Sequence, residues 1–188
     1  MEVRFEVVVG PYDVEPECDG CVGDGWFAFP ALPRQVQVDV VRQHLAPLAE
    51  QGTPLSDTVP LFGGARIIVD GEVVLEPQCC GDLSDAWSWL QLRDPDFQRG
   101  VLCLEGHPSP VVERDGGSFR VVCEDEVETF SGAKASFHLD IEATLRALAS
   151  IEVARRELRS AVREIAGEFP VADLTTLLID GDEDGITS

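Results

Sequence analysis

Asp70-Gly71 fixes more of this chain than any other dipeptide. It sits between two runs rich in β-branched residues, Ala65–Val69 and Glu72–Glu76. A type I′ turn needs positive φ at both central residues, and Asp-Gly supplies that cheaply. The two runs are therefore antiparallel neighbours. Pro77 stops the second strand, because it has no N–H to give to a ladder. Cys79-Cys80-Gly81 makes a corner, and Asp82 is placed to cap a short helix. Leu83, Trp87 and Leu90 share one face of that helix at α spacing, whereas Trp89 falls off it. Trp89 is then either exposed or buried by some other contact.

Elsewhere the chain alternates strand and loop signals until its last third. Val3–Val9 reads as a strand. Pro11–Gly25 is a loop rich in Pro, Gly and Asp, and Trp26–Phe29 is a short strand or core edge. The segment after Pro33 fits two periods. Val36, Val38 and Val40 alternate, but Val36, Val40, His44 and Leu48 keep helical steps. Pro33 tips the choice to a helix over Arg34–Glu50, bent or restarted at Pro47. Val101–Glu105 reads as a strand. Val111–Arg114 and Ser118–Cys123 form a second hairpin around Asp115-Gly116-Gly117. From Asp140 to Phe169, apolar residues recur at three- and four-residue steps, with Asp140 as N-cap. Val171–Ile179 has room for one more short helix.

These signals predict an α+β fold. A mainly antiparallel sheet built from hairpins packs against one long C-terminal helix and one or two shorter helices. Residues 1–179 form a single domain and 180–188 an acidic tail. No apolar run reaches the roughly 18 residues of a membrane span. The N-terminus lacks a basic leader and a small-residue cleavage site, so a cytoplasmic protein is expected.

Charge narrows the function classes. The formal net charge is −21, from 35 acids against 14 lysines and arginines. Such a field repels nucleic acid and anionic membrane and attracts basic partners. It also confers solubility without any partner, which is the plainer reading. Only Asp140–Arg163 runs the other way, with five arginines against four acids. That stretch is either a solvated face, a dock for the protein's own acidic body, or the contact of a homodimer through 140–169.

The cysteines offer the clearest chemical candidate. Cys18 and Cys21 form a C-x2-C pair, and Cys79-Cys80 a second pair at the hairpin corner. Four thiolates from two loops can hold tetrahedral zinc, although adjacent cysteines depart from knuckle spacing. Free thiols and a redox pair are the alternatives. The cofactor expectation is therefore zinc or none. Cys103 and Cys123 lie in apolar runs and read as core. A Cys–His enzyme would need His44, His107 or His138 beside a thiol, and no catalytic signature surrounds them. Asp180–Gly185 matches half a calcium loop, without its closing glutamate or exit helix. For a partner surface, Asp82, Asp85, Trp87 and Trp89 are the candidates, since tryptophans anchor interfaces.

At Pro77-Gln78-Cys79-Cys80-Gly81-Asp82-Leu83, followed by Trp87 and Trp89, the chain resembles poorly characterised bacterial proteins of toxin–immunity neighbourhoods. The likeness covers about thirty residues. It implies a single α+β domain that binds and neutralises a cognate toxin, and it assigns no catalytic residue; with the acidic charge, the expectation is a non-enzymatic binder of a basic partner.

Overall fold

The computed structural model describes residues 1–10, 20–23, 25–51, 54, 60–77, 81–102, 110–123, 134–169 and 174–180. The fold is α+β, with antiparallel sheets and a long C-terminal helical segment. The chain divides into two compact units, each assembled from two separated stretches.

The first unit takes Met1–Val8 and Gly63–Glu152. Strand β1 spans Val3–Val9, β4 Gly63–Val69 and β5 Glu72–Leu75 (β2 and β3 belong to the second unit). The three lie side by side in the order β1-β4-β5. Asp70 N–H donates to the Glu2 carbonyl at one end of the β1–β4 pair. At the other end Gly63 lies under β1 so closely that a Cβ there would sit 2.3 Å from the Val8 carbonyl oxygen and 2.5 Å from Leu83 Cδ1. No larger residue fits. The turn between β4 and β5 is the expected one, with φ of 49° at Asp70 and 84° at Gly71.

Leu83, not the expected Asp82, holds the N-cap position and makes no side-chain cap bond, while the Asp82 carboxylate one residue earlier accepts the Ser84 N–H at 2.7 Å. The helix α2 that follows covers only Ser84–Ser88 and packs on β4. It tightens into a 3-10 helix over Trp89–Arg93. With three residues per turn, Trp89 and Leu92 come onto one face, and both are fully buried. Trp89 meets Phe5 of β1 at 5.5 Å between ring centroids.

A four-stranded antiparallel sheet follows in the order β6-β7-β8-β9, with β6 Arg99–Val101, β7 Val111–Asp115, β8 Ser118–Val122 and β9 Ser136–Asp140. One face supplies the core through Val112, Phe119, Val121, Phe137 and Leu139. The opposite face is open to solvent, as antiparallel sheets permit. The β7–β8 loop holds two residues, Gly116-Gly117, because Asp115 pairs with Ser118. The sequence suggested a three-residue loop beginning at Asp115. The strand β9 was not anticipated at all.

The predicted single helix 140–169 is two segments, α3 over Ile141–Ala147 and α4 over Ala149–Ile165. Asp140 is its N-cap as expected, accepting the Ala143 N–H at 2.8 Å. The break falls at Leu148. Just beyond it, Ser150 Oγ lies 2.9 Å from the Ala147 carbonyl and 2.7 Å from that of Phe5. A hydroxyl that competes for backbone carbonyls within a helix bends it.

The second unit takes Val9–Phe62 and Val153–Ser188. Strand β2 (Cys21–Gly23) pairs antiparallel with β3 (Trp26–Ala28). Helix α1 covers Arg34–Glu50, which resolves the strand-or-helix ambiguity in favour of the helix. Val38, Val41 and Leu45 of α1 and Leu158, Val162 and Ile165 of α4 are buried. The two helices advance in the same sense, since Arg34 reaches Ser160 and Glu164 while Arg42 reaches Glu168. A short wide helical turn, Thr176–Asp180, closes the described chain. No described helix is long and apolar enough to cross a membrane.

Candidate functional site

The four residues expected to meet a partner are mostly interior. Trp89 is fully buried, and Trp87 and Asp85 retain only 8% and 7% of their surface. Trp89 Nε1 has no hydrogen-bond partner among the described residues, and the indole acts through its volume. Asp85 accepts the Asp82 N–H at 3.3 Å, and Asp82 itself is half-buried just ahead of α2. This cluster fixes the corner after β5.

Of the proposed zinc ligands, Cys18, Cys79 and Cys80 lie outside the described residues, as do Cys103, His107 and the tail 181–188. The Cys21 backbone is held in β2 opposite Phe27. Among the described residues no group of three or more His, Cys, Asp and Glu side chains gathers in a metal-holding arrangement. Cys123 is the core residue expected of it. Burial pushes its thiol up to about 12, so it is protonated and inert at neutral pH.

The nearest approach to a catalytic pair is Ser118 Oγ with His138 Nδ1 at 3.3 Å. Ser118 Oγ also donates a hydrogen bond to the Asp115 carbonyl at 3.1 Å. His138 is exposed on the open sheet face. Nothing in this pair activates the hydroxyl.

What the structure does organise is charge. Arg66 on β4 sits between Glu6 of β1 at 3.2 Å and Glu76, just past β5, at 3.1 Å, a carboxylate–guanidinium–carboxylate row. Arg34 on α1 binds Glu164 of α4 twice, through Nε at 2.7 Å and Nη2 at 2.6 Å, and also reaches Ser160. Arg42 binds Glu168 twice as well. That hydrogen bonding holds the Glu168 carboxyl below the usual carboxylate range and raises the Arg42 guanidinium. Arg93 pairs with Glu152, and Lys134 with Glu72. Among the described residues, seven of the chain's 14 cations pair with its own acids. With 35 acids against 14 cations, most carboxylates are left without such a counter-charge. Asp94, Asp96 and Asp115 are exposed examples.

The open face of the β6–β9 sheet carries arginines outside these pairs. Its register aligns Arg99, Glu113, Arg120 and His138 in one cross-strand row, and Val101, Val111, Val122 and Ser136 in the next. Glu113 lies between two arginines yet forms no ion pair with either. This row was missed from sequence because the loop was read one residue too long. A one-residue slip turns every side chain of a strand to the other face.

Comparison with known protein families, curated proteins and solved structures finds no match.

Proposed function

We propose that this chain is a non-enzymatic binding protein of immunity type, whose acidic surface receives a basic protein such as a cationic nuclease or other effector. One observation carries the reading. Arg34, Arg42, Arg66 and Arg93 are engaged by the chain's own carboxylates, and with 35 acids against 14 cations a large excess of negative charge remains. Maintaining it costs stability through self-repulsion, and its return is fast, selective capture of a cation-rich surface. The mechanism is steric occlusion after electrostatic steering. It asks nothing of the buried tryptophans and needs no bond-making residue.

The test is titration against any basic protein that a gene next to this chain's encodes, together with co-expression of the two in cells. Co-expression protects the cells, and affinity falls about tenfold or more between about 50 and 200 mM salt, as screening shortens the field. Unchanged affinity over that range, or cells that die despite co-expression, overturns the proposal.

A further inference from the structure

The face of the β6–β9 sheet differs from the acidic surface around it. Arg99 and Arg120 are exposed and make neither a hydrogen bond nor an ion pair among the described residues. Glu113 lies between them in register, so the row alternates in sign. An anion would meet that carboxylate, and a cation would meet the two guanidiniums. Beside it runs an apolar row in which Val101 is 44% exposed and Val111 and Val122 are half-buried. The surface that fits this pattern carries the opposite alternation and valines at the same level.

This face supplies that surface itself. A two-fold axis lying parallel to the strands, midway between β7 and β8, turns β7 of one copy onto β8 of the other. Positions along the strand are preserved by that rotation. Glu113 then faces Arg120 of the second copy, and Arg120 faces its Glu113. Val111 and Val122 meet in the same reciprocal way. The arrangement is isologous, as a closed dimer requires, and the sheets stack about 10 Å apart with nearly aligned strands.

We propose that this sheet face is the contact of a weak homodimer, closed by reciprocal Glu113–Arg120 pairs over a valine layer. Four strands about 4.8 Å apart span about 14 Å between the outer two. The buried area is therefore well under the roughly 1,600 Å² of a standard interface, and the dimer exchanges readily. The proposal stands apart from the basic-partner reading and survives its failure.

Sedimentation equilibrium of the full chain tests it, from about 10 μM to about 1 mM at about 150 mM salt, where the like charge of two copies is screened. The wild-type mass rises with concentration. Glu113→Arg alone and Arg120→Glu alone each weaken association at least tenfold, by setting like charges face to face. An equimolar mixture of the two variants regains association, because each supplies the charge the other lacks. A wild type that stays monomeric to about 1 mM overturns the proposal. So does association that survives both single changes, or a mixture no stronger than its components.

Discussion

Cys123 shows how a side chain can bear on stability without touching a partner. Its thiol is 4% exposed and titrates near 12 in the folded chain, against 9.0 for an ordinary thiol. Between those values the unfolded chain has released the proton and the folded chain still holds it. Stability supplied by the buried thiol is thus complete below about pH 9 and drains away above it, at about 1.4 kcal/mol per pH unit. Urea unfolding between pH 8 and pH 10.5 should show that decline (about 2 kcal/mol at the upper end). Cys123→Ala should remove the slope, at a cost in packing at every pH. Asp70-Gly71 and Asp140 were legible at this same scale, because a turn and a cap depend on one or two residues and their immediate neighbours. Trp89 was not legible. Its burial follows from a change of helical pitch after Ser88, and α periodicity cannot register such a change.

Among the elements, the longer helices were legible, α1 over Arg34–Glu50 with its expected bounds and the C-terminal helix in place though not its break at Leu148. Short ones were not. Strand β9 alternates over five residues only, and its last residue begins the next helix, so the helical signal masked it. Strand β2 was lost inside a Gly- and Asp-rich stretch whose composition says loop. The register of β7 and β8 hung on one residue of loop length, and with it the row of Arg99, Glu113 and Arg120. The parallel contact of α1 with α4 has its own test. Arg34→Ala and Glu164→Ala should each destabilise the protein by about 0.5–1 kcal/mol, and the double variant by less than their sum. Both side chains are partly exposed, so a coupling above about 1.5 kcal/mol in the thermodynamic cycle would contradict this reading. Long-range pairs such as Arg34–Glu164 leave no local trace in a single sequence.

For the whole molecule the governing quantity is −21. Like charges confined in a folded chain repel, and salt relieves them. The melting temperature should therefore rise by several degrees as sodium chloride goes from about 10 to about 150 mM, because screening the excess carboxylates outweighs weakening the exposed ion pairs. Calorimetry checks this, and a falling melting temperature would mean that the ion pairs dominate. Salt then has opposite signs in the two assays, stabilising the fold while loosening a basic partner. The division into two units was not visible in the linear order, since one passage between them falls inside β1 and another inside α4.

Asp140 ends β9 and caps α3 in the same breath, its carboxylate on Ala143 and its backbone still opposite Ser118. There is no slack at that joint. Inserting a single residue would either push Phe137 and Leu139 out of the interior or rotate the helix by about 100° about its axis. Length tolerance at this point should be close to nil, while the same insertion at Gly116-Gly117 would merely lengthen a hairpin loop.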